Sequence, residues 1–166
     1  MADFRPERIL AVLAKHGVEY VMIGGLAAAI HGSDLVTGDM DITPALGEDN
    51  LSRLSSALKD LRARVRTLDL PEGLPFAHDA RSLAAAGVWN LVTNAGDLDI
   101  SFVPSGTQGF SDLRRDAVTI EILGSSTSVA SLADIIRSKE AAGRPKDIVA
   151  IPLLRRLLDE IERRRR

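Results

Sequence analysis

The chain has 166 residues, 45% hydrophobic and 27% charged, and is expected to form one folded domain over 1–166, with a helical C-terminal segment from about 131. A formal net charge of −2 argues against a generic polyanion binder, and the absence of cysteine excludes disulfides, thiolate metal sites and a cysteine nucleophile. No apolar run exceeds about one strand in length and no secretory leader precedes "DFRPERI", so no membrane span is expected and a cytoplasmic location is.

In chain order, "PERILAVLAKHG" predicts a first helix, with Pro6 in the first turn, an apolar stripe of Ile9, Leu10, Val12 and Leu13, and Gly17 at the end. "VEYVMIG" predicts a short strand and the alanine-rich "GLAAAIHG" a short buried helix. "DMDITPAL" reads as a second strand. "EDNLSRLSSALKDLRA" reads as a helix, with Leu51, Leu54, Leu58 and Leu61 on one face and acids in its first turn. The middle is less regular: "RVRTLDL" is a strand candidate and "PEGLPFAHDARSLAAAG" a loop with a short helix. "VWNLVT" and "DLDISFV" read as two strands joined at "NAGD", and "AVTIEIL" as another strand. "SLADIIRSKEAAG" reads as a helix starting near Ser128 or Ser131. "PKDIVAIPLLRRLLDEIERR" is helical, with Pro152 either kinking it or opening a second helix. The fold class that follows is α/β of the α+β kind, a mixed sheet with helices packed on it.

Strands are poor in aspartate, yet two aspartates stand one residue apart in "DMDIT". Residues i and i+2 of a strand face the same way, so Asp39 and Asp41 project together, roughly 6–7 Å apart. Two carboxylates so placed repel unless a cation lies between them, and Mg²⁺ prefers carboxylate and phosphate oxygens. "GDLDISFV" repeats the alternation with Asp97 and Asp99. Asp99, flanked by Leu98 and Ile100, is the expected third acid, and Asp97 is expected to belong to the turn. Three such acids can hold two cations.

Gly24 and Gly25 follow a strand and open a helix, where free N–H groups and the helix dipole favour phosphate. Ser33 and Thr37, on the loop before Asp39, offer hydroxyl donors. His31 is expected to be a packed or capping side chain, and Trp89 and Phe102 to serve the core. Only four Phe, one Trp and one Tyr are present, which argues against a stacking platform for single-stranded nucleic acid.

"GG", then "TGDMD", then "LDI" resembles the polymerase-β-like nucleotidyltransferase superfamily, with thirteen residues between Gly25 and Asp39. The tail "LADIIRSKEAAGRPKDIVAIPLLRRLL" is similar to the C-terminal part of small bacterial nucleotidyltransferase-like proteins, some of them related to toxin components of toxin–antitoxin pairs. The resemblance spans about Glu19 to Leu158, more loosely through the middle third. It implies that Gly24 and Gly25 hold a triphosphate and that Asp39 and Asp41 bind two Mg²⁺ ions, with Mn²⁺ as an alternative. It implies that Asp99 touches one metal and can act as base. It also implies that Lys139, Arg144 or Lys146 neutralises the triphosphate. The implied reaction moves a nucleoside monophosphate to a hydroxyl of RNA, protein or a small molecule and releases pyrophosphate. So short a chain favours a cognate protein partner, a homodimer or an RNA acceptor to complete the acceptor side. Rival readings are a catalytically silent nucleotide- or partner-binding module of the same fold, and a toxin-type component acting on tRNA.

Overall fold

The computed structural model describes residues 2–166. Helix α1 (Pro6–Lys15) leads into strand β1 (Tyr20–Ile23), helix α2 (Gly24–Ile30), strand β2 (Asp39–Pro44) and helix α3 (Glu48–Asp60). A two-residue strand β3 (Arg64–Val65), helix α4 (Ala80–Ala84), and strands β4 (Val88–Thr93) and β5 (Gly96–Ser101) follow. Helix α5 (Phe110–Asp116), strands β6 (Val118–Ile122) and β7 (Ser125–Val129), and helices α6 (Leu132–Ala142) and α7 (Pro145–Arg164) complete the chain. The strands form one mixed sheet in the order β3-β4-β5-β2-β1-β7-β6.

Strand alternation divides the sheet into two chemically different faces. Met40 and Ile42 of β2, Leu91 of β4, and Leu98 and Ile100 of β5 are fully buried. Between them, Asp39, Asp41, Asp97 and Asp99 are only partly covered. The core is completed by Ile9, Leu10 and Leu13 of α1 and by Leu51, Leu54 and Leu58 of α3, all at or near zero exposure. Each such side chain contributes about 1.5–3 kcal/mol by leaving water. Helix α2 packs on β1 and β2 and also touches α6, which lies against α7.

The expected first strand, second strand and their helices lie where the pattern places them, and "VWNLVT" and "DLDISFV" form an antiparallel hairpin. One expectation is narrowed, and two elements appear where none was expected. "RVRTLDL" keeps only Arg64–Val65 as strand before the chain turns away. Phe110–Asp116 and Ser125–Val129 are a helix and a strand that carry no clear periodic signal. In β7 the inward positions beside Val129 are Ser125 and Thr127, small and polar, so no apolar alternation marks it. The choice at Pro152 resolves as one twenty-residue helix running through it. Pro152 and Ile148, whose carbonyl the proline leaves without its donor, are both exposed, so water can serve that oxygen. Ser131 is the N-cap of α6 and accepts the Asp134 N–H at 3.1 Å.

Candidate active site

The centre of the sheet creates the site. Strands β2 and β5 run parallel in a register that sets Asp39 beside Asp97 and Asp41 beside Asp99. Period two puts all four acids on one face. Carboxylate oxygens of Asp39, Asp41 and Asp99 lie within 4.8 Å of one another. They line a cleft of about 800 Å³ whose far wall comes from α6 and α7.

Nine of the ten residues singled out from the sequence line this cleft. Gly24, Gly25, Thr37, Asp39, Asp41 and Asp99 come from the sheet side, and Lys139, Arg144 and Lys146 from the helical side. Ser33 is the exception: it is absent from the cleft lining, and its Oγ accepts the Leu35 N–H at 3.2 Å in a local turn. Thr37 is present, but its single hydroxyl proton is shared between the Asp39 carbonyl and Asp39 Oδ1, both at 3.2 Å. It therefore orders Asp39 and offers no free donor. His31 caps α2 and sits 2.8 Å from the Ala130 carbonyl through Nε2, a packed role.

Burial and crowding leave Asp41 and Asp99 reluctant to ionise. Burial, then the neighbouring charges of Asp39 and Asp99, raise the Asp41 carboxyl to about 7, against the opposing pull of Lys146 and Lys139. Burial also raises Asp99, to about 6; Arg66 pulls it down, while a hydrogen bond and the charge of Asp39 push it up. Desolvated oxygens that repel one another are a set that a hard cation would relieve, and carboxylates are the donors Mg²⁺ prefers. Oxygens sharing one such ion stand roughly 3–4 Å apart, so small side-chain shifts close the set. The three aspartates can hold a metal ion.

The glycine opening α2 is required by this packing. Gly24 has φ +74°, and a Cβ there would stand 2.3 Å from Asp41 Oδ2. Gly24→Ala therefore strains the backbone and displaces Asp41 together. The expected result is a loss of about 1–3 kcal/mol in urea unfolding and at least tenfold weaker Mn²⁺ binding by calorimetry. Unchanged Mn²⁺ binding in a folded variant would remove Gly24 from the site.

Two residues that sequence reasoning passed over complete the electrostatics. Arg66 donates from Nη2 to Asp99 Oδ1 at 2.8 Å, and its Nε lies 3.3 Å from Asp97 Oδ2. Asp97 thus lines the cleft as half of an ion pair and is no mere turn residue. Asp147 is fully buried and binds two of the three cations on the helical side: Arg144 Nε donates to Oδ2 at 2.7 Å, and Lys139 Nζ lies 3.5 Å from Oδ1. Pro145 followed by Asp147, at the first and third helical positions of α7, was the available signal for the second of these. Nothing local to "RVR" marks Arg66.

No protein-family profile matches the chain, and no curated protein sequence does. Solved structures match over nearly the whole chain. An inferred nucleotidyltransferase of Thermotoga maritima aligns with TM-score 0.53 and 19% identity over 96% of this chain and 97% of that one. ANT(2'')-Ia in complex with adenylyl-2''-tobramycin aligns with TM-score 0.57 and 18% identity over 95% and 90%. A solution structure of the same antibiotic-resistance factor gives 0.56 and 17% over 96% and 90%. The chain shares the nucleotidyltransferase-type fold of these structures.

Proposed function

We propose that the protein is a metal-dependent nucleotidyltransferase that moves a nucleoside monophosphate from a nucleoside triphosphate to an acceptor hydroxyl and releases pyrophosphate. The observation that carries this reading is the convergence of Asp39, Asp41 and Asp99 beneath Gly24, facing Lys139, Arg144 and Lys146 across one cleft. Two Mg²⁺ ions, or Mn²⁺ in their place, would be held by the three aspartates and would stabilise charge on the attacking and leaving oxygens. Backbone N–H groups at Gly24 and Gly25 orient the triphosphate, since no Cβ blocks a close approach. Lys139, Arg144 and Lys146 offset the negative charge that gathers on the departing pyrophosphate. Asp99 would touch one metal and take the proton of the acceptor hydroxyl, with Arg66 holding its Oδ1. The acceptor oxygen bonds to the α-phosphorus as the bond to the bridging oxygen breaks. The acceptor is a hydroxyl of RNA, protein or a small molecule. ANT(2'')-Ia, solved with an adenylylated tobramycin, supports the small-molecule class.

The test is incubation with each α-labelled triphosphate, Mg²⁺ and total cell extract. Label is expected to enter one class of acceptor with wild type and not with Asp41→Asn. Tight triphosphate binding with no label transferred from any of the four nucleotides would convert the reading to a silent binding module. The intact acid triad weighs against that outcome.

A further inference from the structure

We infer that Arg66 selects which carboxylates form the cation site, withdrawing Asp97 and fixing one oxygen edge of Asp99 so that Asp39, Asp41 and the other edge of Asp99 face the ion. This makes Arg66 a positioning residue, and the inference rests on the metal-site reading proposed above.

The parallel register creates a problem that the sheet alone does not solve. Asp39 beside Asp97 and Asp41 beside Asp99 form a square of four carboxylates on one face. A cation approaching such a square meets several pairs of similar geometry. Yet only three of the four bring oxygens within 4.8 Å of one another. The fourth, Asp97, has its Oδ2 3.3 Å from Arg66 Nε, while Arg66 Nη2 holds Asp99 Oδ1 at 2.8 Å. One guanidinium thus hydrogen-bonds Asp99 through Nη2 and stands in charge contact with Asp97 through Nε, which makes no hydrogen bond, a two-point reach open to arginine and closed to the single ammonium of lysine. The side chain is anchored as well. Its backbone N–H donates to the Asn90 carbonyl at 2.9 Å and its Nη2 also donates to the Leu91 carbonyl at 3.1 Å. Residue 66 directly follows β3, which pairs with β4 and not with β5, so the guanidinium reaches across β4 to its targets. Only a third of the side chain is exposed, which limits its freedom to swing away.

The experiment is Mn²⁺ alone titrated into metal-stripped full-length protein and followed by electron paramagnetic resonance. The chains compared are wild type, Arg66→Gln, Asp97→Asn, the double variant and Asp41→Asn. With Arg66 present, Asp97→Asn is expected to leave the Mn²⁺ Kd within about twofold. Arg66→Gln is expected to tighten Mn²⁺ binding about tenfold, because Asp97 joins the set. Asp97→Asn in that background is expected to undo the gain. This dependence of one substitution on the other is what a merely structural arginine, or a simple sum of charges, would not produce. Equal weakening by Asp97→Asn in both backgrounds overturns the inference, as does an Arg66→Gln protein that binds no more tightly than wild type. If Arg66→Gln does not fold, Arg66→Lys replaces it. That variant keeps the charge and loses the fork, and sensitivity to Asp97→Asn is expected to appear there too; its absence overturns the inference. Failure of wild type to bind Mn²⁺ in an Asp41-dependent way is a separate result that refutes the cation site itself.

Discussion

Asp41→Asn is expected to reduce nucleotide transfer by about 10²–10³-fold or more and also to make the metal-free protein harder to melt at pH 8. The two effects have one cause. The Asp41 carboxyl stands at about 7 in the folded chain, against roughly 3.9 when unfolded. A group raised on folding contributes stability that is complete below the unfolded value and is lost as pH climbs through the folded one. Wild type without metal therefore surrenders up to about 4 kcal/mol from this site between pH 4 and pH 8. Asp99, raised to about 6 and sharing the same repulsion, adds a smaller loss in the same window. An amide at position 41 cannot ionise and removes its part of the penalty. Calorimetric melting in a chelator should show a gain of about 5–10 °C at pH 8 that shrinks toward zero near pH 4.5. Saturating Mg²⁺ with a triphosphate should reverse the order, because wild type alone gains from the ligand by mass action. An Asp41→Asn chain that melts earlier than wild type at pH 8 would show the acid to be structural.

Asp147→Ala is expected to cause a larger loss of stability than removal of any charge that lines the cleft, about 2–4 kcal/mol, or roughly 5–10 °C in Tm. The carboxylate is fully buried and has partners on both helices of the far wall. Burial by itself would raise its pKa, but the hydrogen bonds and charge of Arg144, with the charge of Lys139, hold it below the usual carboxylate range. Its contribution is therefore present above pH 4 and fades on acidification. After truncation Arg144, more than half exposed, can turn to water, whereas Lys139 is largely covered and keeps an uncompensated charge. The same change frees the α7 N-terminus, since Asp147 Oδ2 accepts the Arg144 N–H at 3.1 Å. Below the melting range, the KM for triphosphate is expected to rise more than kcat falls. Urea unfolding together with transfer kinetics checks both parts. A Tm within a degree of wild type would mean that the buried pair does not hold the far wall together.

Much of the site was legible because its acids obey a period of two. Asp39 and Asp41, then Asp97 and Asp99, alternate with residues that prove fully buried, so the shared face could be read from spacing. The adjacency of the two strands could not be read that way. Asp41 and Asp99 meet through a parallel pairing that local pattern does not encode. Arg66 was invisible for a stronger reason: it follows a two-residue strand and acts across an intervening strand. Asp147 looked like an ordinary first-turn acid, and only the packing of α6 on α7 buries it. β7 escaped notice because its inward positions include Ser125 and Thr127, and α5 because seven residues give periodicity too little room.

The pairing of β2 with β5 joins stretches that lie far apart along the polymer, with α3, β3, α4 and β4 looped out between them. An ion gripped by Asp41 and Asp99 would act as a clasp on that loop, and its benefit grows only slowly with the length enclosed. Until the middle of the sheet has zipped up there is nothing for the clasp to fasten. Such an ion would enter late in folding and leave early in unfolding, as a tenant of the finished structure with no hand in nucleating it.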